Sequence, residues 1–251
     1  MKKPFQFIFL VIIAFTSQVF AQQFSSGSPE WLVDMFFVKS SFPDKANYYT
    51  GKMINETDKP TIGEELNGKG EISFHQIKAG ADKIVFAVEL KLDEKVVDFY
   101  SYLKRVNNNW KIAAIASFIL PDFVYQIADS LSNQAHLPDS SLYLSLKLFT
   151  MNDHQLKNYF IDKSDSFNEL ISYFNQNDKE SGDKKLSELG CTAIFRDTGF
   201  PGCIFILINS FKKIGAGFIY TIESAEPPEI SEKDFIYIEE ILPGWFIFRT
   251  I

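Results

Sequence analysis

Two periodicities alternate along the chain. In "SPEWLVDMFFVKS" (28–40), Trp31, Leu32, Met35, Phe36 and Val38 fall near helical spacing. Ser28 suits an N-cap, Pro29 the first helical position and Glu30 the positive end of the dipole. The pattern predicts a helix that ends by Ser40–Pro43. Residues 44–70 are polar apart from the island "NYYTGKM", and "NGKG" predicts a turn. From Glu71 the period becomes two. "KIVFAVELKLD" places Ile84, Phe86, Val88, Leu90 and Leu92 on one face, with Val85, Ala87, Glu89 and Lys91 on the other. The next stretch, "VVDFYSYLKRVNNNWKIAAIASF", reads as two aromatic-rich strands joined at Asn107–Asn109, because asparagine tolerates the left-handed backbone of tight turns. Val97, Phe99, Ser101 and Leu103 share one face of the first strand; Val96, Asp98, Tyr100 and Tyr102 share the other. Trp110, Ile112, Ala114 and Ala116 are expected on one face of the second.

The second half reads as helices followed by strands. "LPDFVYQIADSLSN" predicts a short helix and "DSSLYLSLKLFTMNDHQLKNYF" one or two more. In "SDSFNELISYFNQN", Phe167, Leu170, Ile171 and Phe174 line one face. Residues 177–185 are expected to be a charged loop, and "LSELG" a short helix ending at Gly190. Strands are expected at about 191–197, 203–209, 214–222, 234–241 and 245–250. Together these patterns predict an α+β fold with helices packed on curved antiparallel sheets, in two α+β domains at 29–132 and 139–251. "DFYSYLKRVNNNWKI" and "DFIYIEEILPGWFIF" echo each other, which fits either a worn duplication or a generic aromatic hairpin.

The first residues bear on destination. Lys2 and Lys3 precede an uncharged, nearly all-apolar run from Phe5 to Phe15, and Val19 and Ala21 occupy the −3 and −1 positions of a small-residue cleavage site. This predicts a signal peptide at residues 1–21 and a linker at 22–28. The apolar run is shorter than the roughly 20 residues of a comfortable span, so a stable membrane anchor is not expected. The expected destination is the periplasm or the exterior. Cleavage removes two lysines and no acid, which moves the net charge from −7 to −9. Such a chain repels phosphate backbones and anionic membranes, so nucleic acid is not an expected partner.

Two cysteines in an exported chain invite a disulfide. Here "TGFPG" predicts a hairpin between their strands, which puts Cys191 opposite about residue 208. Cys203 then lies roughly 17 Å away along that strand, well beyond disulfide reach. Both thiols are expected to be unpaired. The three histidines, His75, His136 and His154, have no metal-ligand spacing, and no nucleophile elbow or phosphate loop occurs. No metal or cofactor is implied.

A helical start, an irregular middle and long meander strands ending in "FYSYLKRVNNNWKIAAIASF" resemble the NTF2-like (cystatin-like α+β cone) superfamily over about residues 28–120. The resemblance implies a curved sheet that cups one side, used as a pocket in some members and as an interaction surface in others. On the cup-facing strands Glu89, Asp98, Tyr100 and Tyr102 are the candidate ligand-binding residues, with His75 beside them. A buried Asp next to tyrosines could act as a general base, but nothing nominates a nucleophile or a base pair. The expectation is an exported, non-enzymatic binding protein for another protein or a small apolar ligand. The alternatives are a hydrolase or isomerase using the cup, and an immunity or inhibitor protein whose acidic surface meets a basic toxin. Exposed sheet edges would also permit a homodimer. The export reading has a direct check: the intact mass of the exported protein should correspond to a chain beginning at Gln22, and a mass retaining residues 1–21 would overturn it.

Overall fold

A computed structural model describes residues 24–132, 141–222 and 225–251. The expected signal peptide and its cleavage site, His136 and the boundary at 137–139 lie outside the described residues. The fold is α+β, with two antiparallel sheets. Among the described residues no helix is long and apolar enough to cross a membrane.

The first sheet is a meander in the order β1 (Glu71–Ala79), β2 (Lys83–Leu92), β3 (Lys95–Val106), β4 (Asn109–Ser117). Asn107 and Asn108 both take positive φ, at 50° and 64°, in the two-residue turn between β3 and β4. That geometry matches the right-handed strand twist, and asparagine adopts it at little cost. Helix α1 (Pro29–Phe37) is capped by Ser28, whose hydroxyl accepts from the Trp31 N–H at 3.2 Å. It buries Leu32, Val33, Phe36 and Phe37 against Phe86, Val88, Leu103 and Ile112 on one sheet face. The short helix α2 (Ile62–Leu66) starts in a capping box between Thr61 and Glu64.

One expected face is corrected. A register shift lies between Tyr102 and Leu103, so that Tyr102 pairs with Ala114 but Leu103 with Ile112. This β-bulge leaves Ala113 as the extra residue and flips the side-chain alternation. Trp110 and Ile112 therefore face α1, while Ala114 and Ala116 join the opposite core.

The second half contributes α3 (Asp122–Ser132), α4 (Ser141–Phe149), α5 (Asp153–Asp162), α6 (Ser164–Gln176) and α7 (Lys179–Glu188). Its sheet, in the order β5-β6-β7-β9-β8, comprises β5 (Ala193–Arg196), β6 (Cys203–Phe211), β7 (Ile214–Thr221), β8 (Phe235–Leu242) and β9 (Trp245–Thr250). Much of the expected charged loop at 177–185 is helix α7. Asp178 accepts from the Ser181 N–H at 3.2 Å, Glu180 occupies the first turn, and Leu186 is buried beneath. A cap and one buried leucine outweigh the charge density that read as loop. Within β7 a Cβ on Gly217 would stand 2.1 Å from the Ile206 carbonyl, so only glycine fits there. Phe200 in the "TGFPG" tip folds back onto Phe205 and Phe235, with ring centroids 5.8 and 5.6 Å away. The β5–β6 pairing sets Ala193 opposite Leu207, and Cys191 and Cys203 are separate buried thiols.

An aromatic cluster anchors this half. Phe167 lies 4.8 Å from Phe160 and 4.9 Å from Phe218 between ring centroids, with Trp245 against Phe160 at 4.9 Å. The same buried core continues through Val85, Ala87, Tyr100, Tyr102 and Ala114 of the first sheet. That sheet is thus covered on both faces, by α1 on one and by the second half on the other. Replacing the fully buried Phe167 by alanine should cost about 3–5 kcal/mol, measurable as a lowered urea midpoint; a loss below about 1 kcal/mol would contradict this packing.

Candidate functional site

The four residues expected on the cup face do share one face. In the β2–β3 register Val85 opposes Tyr102, Ala87 opposes Tyr100 and Glu89 opposes Asp98. The second half covers most of this face. The Tyr102 hydroxyl donates to the Ile236 carbonyl at 2.6 Å. The Tyr100 hydroxyl donates to Asp153 Oδ2 at 2.7 Å, and its ring stacks on Tyr237 at 4.9 Å. Burial holds both phenols well above their usual range, so they act as donors and not as bases.

Asp153 opens α5 and connects three elements. Its backbone N–H donates to Asp98 Oδ2 on β3 at 2.9 Å, and its Oδ1 accepts from Arg249 Nε on β9 at 3.0 Å. Arg249 is fully buried. It also donates from Nη2 to the Met151 carbonyl at 2.7 Å and lies 4.2 Å over the Phe118 ring. Its Nη1 has no partner among the described residues. Burial, then the charge of Asp153, pushes the Asp98 carboxyl up to about 8, although Arg249 and the Asp153 N–H pull it back.

A second network centres on Glu239 of β8. Its carboxylate accepts from Tyr237 Oη at 2.7 Å, pairs with His75 Nε2 of β1 at 3.0 Å, and meets Lys157 Nζ of α5 at 2.7 Å. Burial raises its proton affinity, but the hydrogen bonds from His75, Lys157 and Tyr237 outweigh that and hold it down to about 2. Between the two networks lies a small cleft of about 150 Å³, with Ser73, His75, Glu89, Asp98, Lys157 and Tyr237 in its walls. Of the expected candidates, Glu89, Asp98 and His75 border this cleft, whereas Tyr100 and Tyr102 are sealed in the seam. Among the described residues no group of three or more His, Cys, Asp or Glu side chains could hold a metal ion.

Sequence reasoning missed Asp153, Lys157, Glu239 and Arg249. Arg249 alone carried a signal, as a lone cation two residues on from the core-facing Ile247 in an apolar strand. Glu239 lies 164 residues from His75, and no local pattern connects them. The chain matches no known family model, and no curated protein or solved structure shows significant similarity to it.

The raised Asp98 carboxyl sets a pH signature. Its folded-state proton affinity exceeds that of an unfolded aspartate, so the associated stability is full below about pH 4 and is lost as pH rises towards about 8. Asp98→Asn cannot ionise and keeps an oxygen for the Asp153 N–H. In urea unfolding at pH 5 and pH 8, the variant should gain stability relative to wild type at pH 8; parallel pH profiles would rule this out.

Proposed function

We propose that the protein is an exported, non-enzymatic binding protein whose partner is another protein, with residues 29–132 forming an NTF2-like unit. The observation that carries this reading is the covered β2–β3 face. Its tyrosine hydroxyls are committed to Asp153 and Ile236, and the remaining cleft of about 150 Å³ is smaller than the roughly 300 Å³ or more of a typical small-molecule pocket. A cup closed by the chain's own second half leaves its outer surfaces for recognition. The helix α1 packed on one face of a four-stranded meander supports the NTF2-like reading. Export rests on the basic, apolar and small-residue pattern of residues 1–21.

Among the described residues, α3 and the segment before it carry a group of exposed apolar side chains. Ile119, Phe123 and Ile127 recur every fourth residue along α3 and the segment leading into it, and all three are exposed. Phe123 also packs edge-on against Phe211, with ring centroids 5.1 Å apart. A rival reading, a hydrolase or isomerase, draws on one feature: burial and the charge of Asp153 raise the proton affinity of the Asp98 carboxyl at the cleft wall, where a general acid would sit.

Native mass spectrometry on the protein taken from its own exported fraction tests the proposal. The expected result is the mass of a protein complex that the double variant Phe123→Asp, Ile127→Asp no longer forms while remaining folded by circular dichroism. A bare monomer carrying a small-molecule adduct would overturn it.

A further inference from the structure

The cleft has an unbalanced wall. Glu89 and Asp98 stand directly opposite each other across β2 and β3, a placement in which like charges repel. The nearby cations are committed elsewhere, Lys157 to Glu239 at 2.7 Å and Arg249 to Asp153 at 3.0 Å. The two imidazoles at the rim are also engaged, His75 with Glu239 and His154 with the Asn158 amide at 3.1 Å. Asp98 is only 9% exposed, yet it lines the cleft. Its Oδ2 accepts from the Asp153 N–H, and its Oδ1 has no hydrogen-bond partner among the described residues. The wall therefore presents one nearly buried, half-satisfied carboxyl and a second carboxylate, Glu89, with no ion pair among the described residues.

We propose that this cleft binds a monovalent organic cation, an ammonium or guanidinium group, between the carboxylates of Glu89 and Asp98. Size sets the class. A volume of about 150 Å³ is about half the lower end of the range for drug-sized ligands, enough for a guanidinium or a short alkylammonium. Ligand count separates this from a metal site. A hard divalent cation takes six or more oxygens, whereas two carboxylates suit one charged group with several N–H donors. The inference goes beyond the partner reading and does not depend on it, because the cleft would hold the cation whether it comes as a free small amine or on a lysine or arginine side chain.

Proton linkage follows from the surroundings of Asp98. Glu89 on β2 and Asp153 on α5 disfavour its charge, and Arg249 on β9 favours it. The remaining titratable neighbours, His75 on β1, Lys157 on α5 and Glu239 on β8, form the paired network on the opposite wall. Tyr100 and Tyr237 stay protonated through burial. An incoming cation favours the ionised carboxylate, so binding at neutral pH expels a proton from Asp98.

Isothermal titration calorimetry of the full exported chain with methylguanidinium chloride and propylammonium chloride tests this, run at pH 7 in two buffers of different ionisation heat. The expected result is saturable one-to-one binding with proton release, no binding of acetate, and tighter binding at pH 9 than at pH 6. Glu89→Gln, at a partly exposed position, should weaken binding by about tenfold, the effect of losing one charge-assisted hydrogen bond. A third titrant, N-acetylarginine methylamide, separates the sources. Binding at least about tenfold tighter than methylguanidinium assigns the site to a protein side chain, and equal affinity assigns it to a free small cation. No saturable heat with any of these cations, or Glu89→Gln binding as wild type does, would overturn the proposal. That failure would leave the mass of a protein complex unaffected, so the two readings fail separately.

Discussion

The ion pair between Arg249 and Asp153 is the constraint on which the arrangement depends. Two charges withdrawn from water cost several kcal/mol each unless geometry and further hydrogen bonds compensate. Here the compensation comes from three directions: Tyr100 of the first sheet, the Met151 carbonyl before α5, and the Phe118 ring after β4. Removing any one leaves a charge less well satisfied in a buried seam. The pair therefore selects one relative placement of β3, α5 and β9, and the cleft is the residual gap that this placement leaves between the sheets.

Electrostatics divides the seam into two unequal networks. The Glu239 network is close to self-neutralising, with one carboxylate meeting an ammonium, an imidazole and a phenol. The Asp98 network is not, since the one guanidinium pairs with Asp153 while Asp98 receives only the Asp153 N–H. Protonation of Asp98 is the cheapest remedy available to the isolated chain, because a neutral carboxyl is far less costly to bury than a second anion. Proton uptake and cation binding are then alternative ways of satisfying the same deficit, and this is why a single residue couples stability, acidity and recognition.

Much of the architecture was legible in local pattern. Period-two alternation placed Asp98, Tyr100 and Tyr102 on one face of β3 and Glu89 on one face of β2, and the register brings Glu89 opposite Asp98. The asparagine turn and the Ser28 cap follow from side-chain chemistry alone. What escaped was non-local. The bulge at Ala113 inserts one residue into an otherwise regular strand, and alternation carries no mark of it. Helix α7 hid behind its charge, because its buried contribution is little more than Leu186 and Gly182. The candidate site was half visible. Its first-sheet wall follows from strand periodicity, but Asp153, Lys157, Glu239 and Arg249 arrive through tertiary packing, which sequence spacing does not encode.

The seam also bears on how the chain reaches its folded state. Arg249 meets a partner 96 residues earlier, and Tyr100 meets one 53 residues later. Contacts this distant in sequence form late, after the loop-closure entropy of the intervening chain has been overcome. Until then the β2–β3 face, with its tyrosines and unpaired acids, stays open to water and to other chains. The chain passes through this exposed stage without the protection of its own second half. The carboxylates on that face then act as gatekeepers, since their charge opposes edge-to-face association of incomplete molecules.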